Sequence, residues 1–229
     1  MPTPLPDAPA VPLVLASASP ARLTTLRAAG IEPTVVVSEV DEDLTVAEAT
    51  ERYGPLEPAD IALLLARAKA EDVAAALDDG AVVIGCDSVL ELDGEVHGKP
   101  ADAAEAVSRW HRMRGRSGVL HTGHWLVDDR GPGGATLGAT ASTTVHFAKL
   151  SDEEIDAYVA TGEPLTVAGA FTIDGLGGAF VTSVEGDHHN VVGLSLPLLR
   201  DLLADAGIGW FDVVGGSAGD RAATGPAQG

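Results

Sequence analysis

Two strand-like segments, GVLHTGHWLVD at 118–128 and ATLGATASTTVHF at 135–147, flank the turn sequence DRGPGG. Glycine and proline at that density reverse the chain, so the pair predicts a long antiparallel hairpin. Around it, short apolar runs alternate with helical segments, a pattern that specifies α/β architecture. An all-parallel, doubly wound sheet cannot contain such a hairpin in its middle. The fold class expected is therefore α/β with a mixed sheet.

The flanking elements follow from local signals. LVLA at 13–16 reads as a buried strand, and Ser17 or Ser19 can cap a helix with Pro20 at its first position and Gly30 at its end. TVVVS at 34–38 predicts a strand, VDEDLT at 40–45 an acidic loop, and an Ala/Leu-rich stretch a helix over 59–77. AVVIGCDSVLEL at 81–92 contains a strand, and LDGEV supplies a hairpin turn. Helices are expected over 102–114, over 151–162 with a Ser151–Glu154 capping box, and over 194–206; further strands are expected near 167–173 and 179–185. The Pro-rich residues 1–12 read as a flexible lead-in and the Gly/Ala/Ser-rich residues 212–229 as a flexible tail, leaving one domain over 13–211.

Charge and composition exclude several functions. The formal net charge of −20, from 34 acidic against 14 basic residues, is incompatible with a general nucleic-acid-binding surface. A locally positive pocket for a small anion is still allowed. No apolar run reaches the roughly 18 residues of a membrane span. The opening MPTPLPDAPAVP lacks the basic and apolar regions of a signal peptide, so a cytoplasmic address is expected. Cys86 is the single cysteine, which rules out an intrachain disulfide and a multi-cysteine metal site. Only three of the basic residues are lysines, at 69, 99 and 149.

Four groups of residues could carry chemistry. Ser17, Ser19 and Arg22 stand at a strand-to-helix junction, where free N–H groups, hydroxyls and a guanidinium suit a phosphate; the same serines could serve only as caps. Neither GxxxxGK[ST] nor a strand-linked GxGxxG is present. Asp87 follows an apolar strand, a position where a carboxylate can hold Mg²⁺, activate water, or simply close a turn. Lys69 and Lys99, aimed into one cleft, would neutralise a polyphosphate. Asp41, Glu42 and Asp43 offer cation ligands or form a solvated acidic loop. Cys86 reads as buried filler, the seven histidines show no HExxH-type spacing and receive no metal role, and the cluster Arg109, Arg112, Arg114 and Arg116 reads as balancing nearby acids.

Taken together, six collinear segments resemble the Maf family, the septum-formation-inhibitor-like nucleotide pyrophosphatases. They are LASASPAR at 15–22, VDED at 40–43, ARAKA at 66–70, VIGCDSVLELDGEVHGKP at 83–100, AGAFTIDGLGGAFV at 168–181 and EGDHHNVVGLSLPLL at 185–199. The resemblance implies an inosine-triphosphatase-like fold: a mixed, twisted sheet with flanking helices and two lobes around a cleft. It implies hydrolysis of nucleoside triphosphates to monophosphate and pyrophosphate with Mg²⁺ or Mn²⁺, a house-cleaning activity, and a possible homodimer.

By position, Asp87 matches the family's catalytic acid, and Glu42 the acid connected with metal binding or catalysis. Ser19, Arg22, Lys69 and Lys99 match the polar and basic residues of the phosphate end, with Ser17 beside them. Ser88 stands where the family has threonine. The usual Ser-Pro-Arg-Arg is Ser19-Pro20-Ala21-Arg22 here, and Asp174 replaces a glutamine or glutamate. Ala21, Ser88 and Asp174 fall at specificity-linked positions and match neither of the better-known base preferences. Two alternatives to a pyrophosphatase stay open: a non-enzymatic nucleotide-binding regulator of cell division, and a phosphatase releasing orthophosphate.

Overall fold

The computed structural model describes residues 11–77, 80–131 and 133–215. Seven strands form one twisted sheet: β1 (Leu13–Ala16), β2 (Thr34–Val35), β3 (Val82–Leu92), β4 (Glu95–His97), β5 (Ser117–Asp128), β6 (Ala135–Phe147) and β7 (Val181–Glu185). Their order is β2-β1-β3-β5-β6-β7, with β4 paired to the far end of β3. β1 lies parallel to β2 and β3, whereas β3–β5, β5–β6 and β6–β7 are antiparallel. The predicted hairpin is thus β5–β6, and the mixed sheet follows from it.

Among the described residues, eight helices flank the sheet: α1 (Pro20–Ala28), α2 (Glu42–Tyr53), α3 (Pro58–Ala75), α4 (Ala103–Met113), α5 (Asp152–Ala160), α6 (His188–Val192), α7 (Leu196–Asp205) and α8 (Trp210–Val213). None of the helices in the described residues is long and apolar enough to cross a membrane.

Side-chain alternation along β3 explains where the site lies. Its even residues Val82, Ile84 and Cys86 join a core built with β1, α1, α7 and α8, while Leu90 and Leu92 join a second core built with α4, α5 and the ends of β5 and β6. Ser88 falls between the two. On β5 the same seam holds Thr122 and His124, both fully buried. The odd residues of β3 face α3 instead, where Val83 packs with Ala70 and Val73.

That helix sits unusually close to the sheet. A Cβ on Gly85 would lie 2.3 Å from the Ala66 carbonyl oxygen, and one on Gly123 would lie 2.2 Å from that of Ala62. Glycine in the strands and the fully buried alanines 62, 66 and 70, spaced one turn apart on α3, permit the approach.

Several expectations are corrected. VDEDLT is not a loop: Asp41 accepts from the Leu44 N–H at 2.9 Å, and Glu42 and Asp43 occupy the favourable first turn of α2. The strand expected at 34–38 shrinks to two residues. Within 167–173 only Ala168–Ala170 form a 3₁₀ turn, and Gly169 (φ 72°) and Ala170 (φ 59°) are left-handed and cannot continue a strand. α6, a single turn between Asp187 and Gly193, was not expected.

Packed residues lie beyond positions 13 and 211. Val213 and Val214 are buried in the first core, Val11 packs against it, and the Val11 N–H donates to the Asp212 carbonyl at 2.8 Å. The remainder of the expected lead-in, 1–10, and of the tail, 216–229, lies outside the described residues.

Candidate active site

The seam opens into a cavity of about 950 Å³, at the upper end of small-molecule sites. Ser17, Ser19, Ala21, Arg22, Glu42, Lys69, Asp87, Ser88, Lys99 and Asp174 all border it. These ten residues singled out by sequence therefore reach one space, although they come from six separate parts of the chain; of the other acidic candidates Asp43 also borders it, and Asp41 caps α2 instead.

Lys69 is the centre of the α3 side. Its Nζ donates to Asp87 Oδ1 at 2.6 Å and lies 2.7 Å from Glu42 Oε1. The close packing of α3 on Gly85 and Gly123 brings the lysine within reach of a strand-borne carboxylate. Asp87 is 7% exposed, and burial pushes its pKa up, opposed by the charges of Lys69 and Arg22. Its neighbour Cys86, fully enclosed, has its thiol pushed up to about 12 by burial, which makes it inert.

Arg22 holds the other face of the strand. Nε donates to the Gly193 carbonyl at 2.7 Å, Nη1 to Ser17 Oγ at 3.0 Å and Nη2 to Ser88 Oγ at 3.1 Å. Thr122 Oγ1 donates to the Asn190 carbonyl at 3.0 Å, so in the 2.9 Å Ser88–Thr122 contact the serine is the donor. Hydroxyl directions are thereby fixed along the seam. Ser88 accepts from Arg22 and donates to Thr122, which leaves it holding the guanidinium. Ser19 is the N-cap of α1, accepting from the Arg22 N–H, and Ser17 Oγ accepts from the Ser19 N–H at 3.2 Å.

Lys99 and Asp174 stand on loops of the opposite wall. Lys99 lies between exposed Gly98 and buried Pro100. Asp174 follows the 3₁₀ turns, in a stretch organised by Glu163. Glu163 accepts from Thr172 Oγ1 (2.6 Å), Tyr158 Oη (2.8 Å) and the N–H groups of Leu176 and Gly177 (both 2.9 Å). Burial alone would raise this carboxyl; the four donors overcome it and bring the pKa down to about 2.

Thr122, Asn190, Gly193, Glu163 and Arg109 are structural contributors that sequence reasoning missed. Of the arginine cluster, Arg112, Arg114 and Arg116 do balance acids, pairing with Glu95, Asp152 and Asp93. Arg109 pairs with an acid too, Glu105, but unlike the others it is buried, at 4% exposed.

Glu42 and Asp87 are oxygen donors set around one ammonium and open to the cavity. This donor set fits a hard divalent cation such as Mg²⁺ or Mn²⁺, which binds through few carboxylates and completes its shell with water and phosphate oxygens. Asp187, His188 and His189 also offer three ligand atoms within 4.8 Å of one another, but none of the three borders the cavity. The HExxH-type spacing considered in the sequence cannot reveal a cluster of consecutive residues.

A family model described as Maf-like protein matches residues 12–206. A nucleoside triphosphate pyrophosphatase of Salinispora tropica is 61% identical over 197 residues, covering 84% of this chain and 83% of that protein. The protein of the same name from Streptomyces coelicolor is 58% identical, over 86% of this chain and 91% of its own length. One from Nostoc punctiforme is 50% identical, over 86% and 94%.

Proposed function

The chain belongs to the Maf-like family, and from that premise we propose that it hydrolyses nucleoside triphosphates to nucleoside monophosphate and pyrophosphate in the cleft. The observation that carries the reading is Lys69 bridging Asp87 and Glu42 at 2.6 and 2.7 Å, in a cavity that also gathers Arg22 and Lys99. A chain with so few lysines places two of them on one cavity, which suits a polyanionic ligand.

The triphosphate lies with its charge toward Lys69, Lys99 and the start of α1, and the base toward the Asp174 wall. Asp87 orients a water and takes its proton as the water oxygen bonds to the α-phosphorus. The bond from that phosphorus to the α–β bridging oxygen breaks, and pyrophosphate leaves with both electrons. Lys69 and Lys99 stabilise the charge that develops on the leaving group. As a ligand instead of a base, Asp87 would join Glu42 in holding a divalent cation, which would supply further neutralisation of the phosphate oxygens. Arg22 shapes the phosphate end by fixing Ser17, Ser88 and the Gly193 carbonyl. Ala21 and Asp174 set base preference, because one removes a cation and the other shortens an acceptor. A cytoplasmic address and a homodimer complete the reading; a monomer mass by light scattering removes the latter.

The test is a panel of ribo-, deoxy- and modified nucleoside triphosphates with Mg²⁺ or Mn²⁺, with pyrophosphate and orthophosphate quantified separately. Pyrophosphate release from a subset, reduced roughly 10²–10⁴-fold in D87N, is expected. Orthophosphate as the direct product overturns the reaction, and no release from any nucleotide favours a binding regulator.

A further inference from the structure

We propose that buried Arg109 is a positioning residue for Lys99, setting the lysine against the Asp174 loop of the same wall. The inference rests on the role given to Lys99 above and adds the group that aims it.

Arg109 lies on α4 and reaches the Lys99 segment from below. Nη1 donates to the Gly98 carbonyl at 2.5 Å, and Nη2 to Glu105 Oε1 at 2.5 Å. The second oxygen of Glu105 accepts from the Ala101 N–H at 2.8 Å. The Arg109–Glu105 pair therefore grips both sides of the Gly98–Ala101 segment, and Lys99 is held between the two grips with the φ of Pro100 fixed by its ring.

The same carbonyl is shared. Gly98 O also accepts from the Gly169 N–H at 3.1 Å, and the next residue on α4, Trp110, donates from Nε1 to the Ala170 carbonyl at 2.8 Å. Gly169 and Ala170 are the left-handed pair that leads to Phe171, Thr172 and Asp174 at the cavity. Ala170 at φ 59° holds a conformation that a side-chain-bearing residue keeps only when its surroundings impose it. Two adjacent residues of one helix thus tie down both the lysine loop and the Asp174 loop.

Packing alone does not account for an arginine here. Its Nε is buried without a partner among the described residues, an arrangement that opposes folding and that an apolar side chain of similar volume would avoid. The guanidinium fork is what lets one side chain engage a carbonyl and a carboxylate together.

The experiment is a double-mutant cycle on the full chain: R109M and E105A, each with and without K99M, assayed for pyrophosphate release. R109M is expected to lower kcat/KM about 10-fold, and to lower it no further in the K99M background. An equal loss in both backgrounds makes Arg109 merely structural and overturns the proposal, as does K99M with unchanged activity, which removes the role of Lys99 itself.

Hydrogen exchange reads the anchor independently of turnover. Faster exchange of the Ala101 and Gly169 amides in R109M supports it even if no nucleotide is hydrolysed, and unchanged exchange overturns it. Should R109M lose its cooperative melt, E105A carries the same cycle and the same exchange readout at Ala101, because Glu105 is half exposed and its removal leaves the core packed.

Discussion

The two walls of the cleft reach the same cavity by different means. On the α3 side, charged side chains are held by one another: Lys69 by Asp87 and Glu42, Arg22 by Ser17 and Ser88. Lys69 and Asp87 project from a helix and a strand packed to within a glycine's thickness, with Glu42 and Arg22 reaching in from α2 and α1. On the opposite side, Lys99 and Asp174 ride on loops, and the groups that hold those loops, Arg109 and Glu163, act on backbone amides and carbonyls. A wall of paired side chains is preorganised for developing charge, whereas a wall of tethered loops changes its surface with little effect on the scaffold. On the proposed reading most of the chemistry, from Asp87, Lys69 and Glu42, falls on the first wall, and the selection by Asp174 falls on the second.

The largest effect should fall on that division. K69M removes the cation between Asp87 and Glu42 and is expected to lower kcat about 10³-fold, with K99M, which removes a loop-borne cation from the leaving group, lowering kcat about 10²-fold. D174N, on the loop wall, is expected to redistribute kcat/KM among bases by no more than about 10-fold. Steady-state kinetics on the nucleotide panel decide it. Equal kcat losses for the two lysines would erase the distinction between the walls.

A smaller effect separates the scaffolds themselves. In G123A the new methyl meets the Ala62 carbonyl at 2.2 Å and must push α3 away, at a cost of about 1–3 kcal/mol. The shift also draws Lys69 from Asp87, so activity should fall with stability. A methyl on Gly98 meets nothing within 4 Å, so G98A should stay within about 0.5 kcal/mol of the parent. Urea unfolding of both variants is the measurement; an unaffected G123A would mean that α3 is not held by close approach.

The side chains that line the cavity were legible in the sequence on both walls, and the groups that hold the second wall in place were not. Asp87, Lys69, Glu42, Ser19 and Arg22 lie in short segments whose residue types suggest the chemistry, and the glycines and alanines that join them have helix and strand periods. The acidic VDED stretch was misread because an acidic run looks solvated, although Asp41 followed by Glu42 and Asp43 is also an N-terminal helix signal. On the second wall the signals are long-range. Arg109 has the same composition as its neighbours Arg112 and Arg116 and differs only in facing the core. Glu163 sits in an unremarkable GEP, and its four donors come from positions 158–177 after the chain has folded back. A left-handed alanine at 170 contradicts local preference outright, so no reading of AGAF as sequence would predict the turn.

The smallest effects sharpen the comparison through pH, because each wall contains a group whose pKa the fold has brought down. His124, in the seam behind Arg22, is brought down from 6.5 to about 4, first by burial and then by the Arg22 charge, against the opposing Thr122 carbonyl and Asp187. As a neutral ring it donates from Nδ1 to the Thr122 carbonyl at 3.0 Å and accepts the Ser195 N–H at 2.8 Å, at the start of α7. Unfolding lets this ring take up a proton more readily. Its contribution is therefore complete above pH 6.5 and is lost as pH falls toward 4. Glu163, on the loop wall, is brought down from 4.5 to about 2. Its contribution is complete above 4.5 and is lost only as pH falls from there toward 2.

Stability measured against pH should accordingly fall in two steps. The H124Q variant flattens the upper step and leaves the lower one, and E163Q does the reverse, each at a cost of about 1–3 kcal/mol at neutral pH. If E163Q instead flattened the upper step, the two walls would share one acid-sensitive network, and the loops could not vary independently of the charged lattice they face.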